Sequence, residues 1–364
     1  MPITSTKDDT RRRRMHGARP RAFVRCVAVA AYCSILFCCA TVDASAQSPE
    51  QFYKGRQLTM LVFSGAGSTY DLYARLLVRH LGNHLPGSPT FVVQNMVGAG
   101  GLKVVDYLYR IAPQDGTVMG TIGRGLAFEP MLGRNDVNFD PLRFTWLGSM
   151  NRDVALAMAW HMAKVKTFAD LKTTDLLVPG TGAGADSEII PLAINALAGT
   201  RFKIIEGYRD SAVAALAMER GELDGLAYWS WSAIIAAHPD WLRENKVNLL
   251  FHTGAAPIPA VPNLPSIRTL VANPTDKKAI DFLLARETLG RPFLAPPMLP
   301  LDRAAALRSA FAATLRDPEF QNEAERAKLD IDLVTGDEID RLLRESVTTS
   351  PEVIGRLKQA LGRK

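Results

Sequence analysis

From Gln57 onward, short apolar runs alternate with segments whose apolar residues recur every three or four positions. Gln57–Phe63 reads as a buried strand. Leu72, Leu76, Leu77 and His80 then fall on one helical face. Phe91–Gln94 and Thr117–Ile122 are predicted as the next strands, with a helix through Arg110 between them. Phe144–Met150 and Ala155–Trp160 follow, at a place where the chain can pass from one lobe to another. The pattern then repeats: strands at Leu176–Val178, Lys203–Glu206 and Gly225–Trp229, helices at Ser187–Leu197 and Ala212–Arg220. Pro191 sits early enough in its helix to be tolerated near the first turn. Leu249–His252 returns the chain, a proline-rich loop runs from Gly254 to Pro265, and five helices between Lys277 and Leu361 finish it. Strand and helix in alternation define an α/β architecture.

The first 46 residues break this pattern. An arginine-rich start, an apolar run from Cys26 to Val42 and Ala44-Ser45-Ala46 predict a secretory signal peptide cleaved before Gln47. Whether export is general or twin-arginine (Arg11–Arg14) stays open. The leader changes the reading of charge. The whole chain of 364 residues carries a formal +6, which invites nucleic acid as a partner. Eight basic and three acidic residues lie in the leader, however, leaving 35 basic against 34 acidic beyond it. No nucleic-acid role is therefore expected. All four cysteines (Cys26, Cys33, Cys38 and Cys39) also lie in the leader. The mature chain is expected to lack thiols, disulfides and cysteine-ligated metal, and to reside in the periplasm.

Three strand–glycine turn–helix units carry the candidate chemistry: Phe63–Asp71, Asn95–Gly101 and Pro179–Ser187. Glycine lets backbone amides approach a ligand, and a helix N-terminus favours an anion. None contains Gly-Lys-Ser/Thr, so no nucleotide P-loop is expected. Gly180-Thr181-Gly182-Ala183-Gly184-Ala185 fits G-x-G-x-x-A, and Glu206 ends the next strand. That leaves an exported NAD-dependent oxidoreductase as a competing reading. No G-x-S-x-G serine elbow occurs. His80 and His84 are four apart, but Gly82 and Leu85-Pro86-Gly87 indicate a helix end rather than a metal site. Trp229, Trp231 and Trp241 suit core packing or an aromatic pocket.

At these residues the chain resembles the Bug-type extracytoplasmic solute receptors of tripartite tricarboxylate transporters. The resemblance rests on Leu61–Arg75, Val92–Gly101, Ala112–Gly116, Gly180–Ser187, Gly207–Arg209, Gly221–Gly225, Val261–Pro265 and Leu294–Pro297, in family order. It implies a type II periplasmic-binding-protein fold: two α/β lobes joined by crossover strands with the ligand cleft between them. Lobe one would be residues 48–148 and 253–364, lobe two 149–252. The implied function is capture of a small organic mono- or dicarboxylate, without catalysis, cofactor or metal. A monomeric receptor would deliver it to the membrane permease subunits; a sensing receptor for a signalling partner is the further alternative.

By position, the resemblance implies ligand contacts from Ser64, Gly65, Ala66, Gly67, Ser68, Thr69, Tyr70 and Asp71 in the first loop. The second turn would add Gly98, Ala99 and Gly100. The third would add Thr181, Gly182, Ala183, Gly184, Ala185, Asp186 and Ser187, and Tyr208-Arg209 the last pair. The carboxylate is expected to bind largely through backbone N–H groups and ordered water. This chain departs from the family in lacking the two prolines of the first loop, in Arg209-Asp210 standing for Lys-Gly, and in Tyr70 and Asp186.

Overall fold

A computed structural model describes residues 47–364 except Asn135, Ala183 and Lys364. The predicted signal peptide with its cysteines, and Ala183 of the third turn, lie outside the described residues.

Strands β1 (Gln57–Val62), β2 (Thr90–Asn95), β3 (Val118–Thr121), β4 (Thr145–Ser149), β10 (Pro292–Ala295) and β11 (Val334–Thr335) form one sheet, ordered β11-β4-β10-β3-β1-β2. β1 runs parallel to β2 and β3; β10 and β11 run antiparallel to their neighbours. Leu58, Met60, Leu61 and Val62 are all buried. A parallel strand covered on both faces reads as such a continuous apolar run. The Thr69–His84 helix buries Tyr73, Ala74, Leu76, Leu77 and Leu81. Ser68 starts it by accepting the Asp71 N–H. His80 bonds Glu323 at 2.7 Å and His84 bonds Asp317 at 2.8 Å, tying this helix to Pro318–Arg326 and its N-cap.

Between β4 and β10 lie five strands that make the remaining sheets. β5 (Ala155–Trp160) pairs with β8 (Gly225–Ser230) and β9 (Val247–His252), both antiparallel. β6 (Leu176–Pro179) and β7 (Phe202–Ile205) pair in parallel. Asp224 bonds the backbone of Leu177 in both directions, which places β6 against the start of β8. The Asp186–Ala198 helix buries Ile189, Ile190, Ala193, Ile194 and Leu197. It begins at Asp186, so Pro191 stands one residue deeper than the sequence suggests, in the second turn; the burial of this face offsets the lost backbone bond.

The passage between the sheets is itself hydrogen-bonded. Met150 N–H donates to Arg291 O, Asp153 N–H to Glu287 O and Gly290 N–H to Asn151 O, each at 3.0 Å. Thr253 Oγ1 donates to Ala155 O (3.1 Å) and accepts from Ala155 N–H (2.8 Å). The tail helix Pro351–Ala360 packs against the Pro274–Leu284 and Asp186–Ala198 helices. Its Arg356 pairs with Asp276 at 2.6 Å and donates to the Ala196 carbonyl at 3.2 Å. The chain's last helix thus touches an element of the middle stretch as well as of its own.

Candidate functional site

Every glycine turn of interest follows the C-terminal end of a strand. In open α/β sheets that edge is where ligands collect. Turns after β1, β2, β3, β6, β7 and β8 converge on one cavity of about 410 Å³. Both the outer and the middle stretches of the chain line it.

The first loop is largely satisfied by its own groups. Gly67 N–H donates to Asp71 Oδ2 (2.8 Å), Ser68 N–H to Gly65 O (3.2 Å), and the Ser64 and Ser68 hydroxyls lie 2.6 Å apart. Asp71 does not face the cavity. It is buried, and it also accepts from Arg75 (2.8 Å) and Asn95 (2.8 Å). Burial alone pushes its carboxyl up, but the Arg75, Gly67 and Asn95 donors outweigh that and hold it below the usual range. Gly65, Ala66 and Gly67 likewise stay off the cavity wall, while Ser64, Ser68, Thr69 and Tyr70 line it. Gly98, Ala99 and Gly100 line it too.

In the third turn Thr181, Gly182, Gly184, Ala185, Asp186 and Ser187 line the cavity. Two amides expected to face a ligand are engaged internally. Thr181 N–H donates to Ser187 Oγ and Gly182 N–H to Glu188 Oε1, both at 3.0 Å. Burial raises the Glu188 carboxyl against that bond. The turn also meets the opposite side of the cavity. Gly182 holds φ +130°, and a Cβ there would lie 3.4 Å from Gly100 N. A Cβ on Gly65 would similarly lie 3.5 Å from Asp210 Oδ2. Arg209 lines the mouth and pairs with Asp210 at 3.0 Å. Tyr208 packs instead against the core around β5 and β8.

Sequence reasoning missed the arginines. Arg124 follows β3 in Gly123-Arg124-Gly125 and is buried. Its Nε donates to Asp186 Oδ2 at 3.1 Å, its Nη1 to the Asp153 carbonyl at 2.5 Å, and it lies over the Tyr228 ring at 4.8 Å. Arg286, fully buried behind the cavity, donates to Asp186 Oδ1 at 2.7 Å. Asp186 therefore adds no net negative charge; two guanidiniums share it. Gly125 is the residue that permits this, because a Cβ there would meet Asp186 Oδ1 at 2.2 Å and Arg286 Nη1 at 2.4 Å. Arg291 lines the cavity between the Tyr70 ring (4.7 Å) and the Tyr73 ring (5.2 Å), paired with Asp153 at 3.1 Å. No periodicity marks these three, since a lone arginine in a turn looks like a surface charge. Of the tryptophans, Trp229 lines the cavity and Trp241 is core, stacked on His238 at 4.0 Å. Trp231 borders a second, outer pocket.

Two sheet-bearing stretches with a cavity at their strand ends form a periplasmic-binding-protein fold, the class that the sequence motifs resemble. No protein-family model and no curated protein matches the sequence. Solved structures do match. The periplasmic binding protein BugD superposes at TM-score 0.65 and 20% identity, covering 85% of this chain and 98% of its own. Rpa4515 of R. palustris, solved with adipate, gives 0.64 and 18%, covering 83% and 97%. MatC of Rhodopseudomonas palustris, solved with bound malate, gives 0.62 and 19%, covering 84% and 99%. This chain shares the two-lobed fold of these proteins.

Proposed function

We propose that the protein is an extracytoplasmic solute receptor that captures a small organic mono- or dicarboxylate and presents it to a tripartite tricarboxylate-type permease. It works from the periplasm after loss of residues 1–46 and does no chemistry on its ligand. The lobes are residues 48–148 with 253–364, and 149–252, closing about the crossover segments.

One observation carries this reading. The cavity is lined from both sides by glycine turns and holds a buried guanidinium, Arg124, at its wall. An anion leaving water for such a site trades hydration for fixed donors. The carboxylates bound by Rpa4515 and MatC support the same ligand class. The dinucleotide reading gains nothing from the geometry. Glu206, its ribose acid, is exposed and off the cavity wall, and the Thr181 and Gly182 amides are engaged by Ser187 and Glu188.

Mass spectrometry of the compound released on denaturing the purified protein tests the reading, followed by calorimetric titration of that compound. A carboxylic acid that rebinds is expected. Released dinucleotide, or turnover of one, overturns it.

A further inference from the structure

Charged groups on the cavity wall and directly behind it fall into pairs. Arg209 pairs with Asp210, Arg291 with Asp153, and Arg124 and Arg286 share Asp186. Four arginines face three aspartates, leaving at most one positive charge uncompensated. Glu287 reaches the cavity through the Tyr228 hydroxyl (3.4 Å) and Glu188 through Gly182 N–H, so each can only lower that balance. Lys103, beside Gly98, is exposed and outside the lining. Serine and threonine hydroxyls make up part of the remaining wall, and apolar and aromatic side chains the rest. Phe63, Val97, Leu126 and Trp229 contribute to it, with the rings of Tyr70 and Tyr228. Phe63 and Tyr70 meet edge to face at 4.7 Å.

We propose that this cavity selects a carboxylate bearing a single negative charge on an apolar, ring-bearing body over di- and tricarboxylates. The proposal rests on the carboxylate-receptor reading above. One acid group matches the single excess positive charge of the Arg124–Asp186–Arg286 cluster. A second would be enclosed without a cation, at a cost that excludes it or forces its protonation. Aromatic walls bury a planar body and give it edge and face contacts.

Calorimetric titration of the purified protein at pH 7 with phenylacetate, benzoate, malate, adipate and citrate tests this. At least one of the two aromatic monocarboxylates is expected to bind at least tenfold tighter than any of the three polyacids. Malate or adipate binding as tightly overturns the proposal and leaves the receptor reading standing. The compound released from denatured protein is the second readout. One acid group on a ring-bearing body supports the proposal, an open-chain monoacid or two or more acid groups overturn it, and none overturns the receptor reading with it. Val97, half-exposed on the wall, permits a gain-of-charge variant. Val97→Lys supplies a second cation and is expected to raise the adipate-to-phenylacetate affinity ratio at least tenfold. An unchanged ratio in the folded variant overturns the charge argument.

Discussion

Asp186 shows how far a residue's meaning depends on its neighbours. In sequence it is an unwelcome acid in an anion site; in the fold it separates two buried guanidiniums. Asp186→Asn should therefore act in opposite directions on stability and binding. Leaving Arg124 and Arg286 without a counter-charge should destabilise the ligand-free protein by about 3 kcal/mol. The extra positive charge should strengthen anion binding, read as a larger ligand-induced rise in Tm. A variant that melts like the parent would show that the two pairs are not what holds the turn. Glu287 gives a second test. Burial pushes its carboxyl up from 4.5 to about 7, against the pull of Arg124 and its bond to Thr253. Between those pH values the folded protein keeps a proton that the unfolded chain has lost. The Glu287 contribution is thus fully present below pH 4.5 and is lost between pH 4.5 and about 7, by about 3 kcal/mol in all. Glu287→Gln has no such proton, so urea titrations at pH 5 and 8 should show wild type losing stability relative to it. Neither role was legible beforehand, because burial of a lone charge leaves no pattern in the chain.

At the scale of elements the sequence was far more readable. Alternation and helical spacing located β1 to β9 within a residue or two, and Ala155–Trp160 to the residue. Apolar periodicity is what buries a strand or a helix face, so it survives in the sequence. β10 and β11 were missed because they are four and two residues long and paired only by distant partners. The turns were legible as glycine-rich, but not which of their amides remained free. Gly182 illustrates the difference. Its N–H is already bonded to Glu188, so its importance lies in the close approach to Gly100. Gly207 shares the strained backbone, at φ +105°, yet has open space where a Cβ would go. Gly182→Ala and Gly207→Ala should each cost about 1 kcal/mol of stability. Only Gly182→Ala should also weaken ligand binding, by about tenfold, measured by titration calorimetry. Equal affinities in the two variants would remove the turn from the binding mechanism.

For the whole molecule, function depends on whether the cavity opens. Three contacts now span it: Gly182 against Gly100, Gly65 against Asp210, and Arg124 on Asp186. Ligand release is expected to need these to separate, with the crossover bonds at Asp153, Thr253 and Gly290 as the place for the rotation. The helix beginning at Asp186 is held at its far end by the tail, through Arg356 to the Ala196 carbonyl. A Cβ on Gly182 lies only 3.6 Å from Gly100 Cα, so cysteines at the two positions come within reach of a disulfide. All native cysteines lie within the first 46 residues, so in protein made without those residues such a pair would have no competitor. Oxidised Gly100→Cys/Gly182→Cys protein is expected to exchange bound ligand at least a hundredfold more slowly than its reduced form. Small-angle scattering should show the reduced form contracting on ligand addition and the oxidised form unchanged. If the cross-linked protein releases and rebinds ligand at the reduced rate, the glycine turns do not gate the cavity, and entry must be sought elsewhere on its wall.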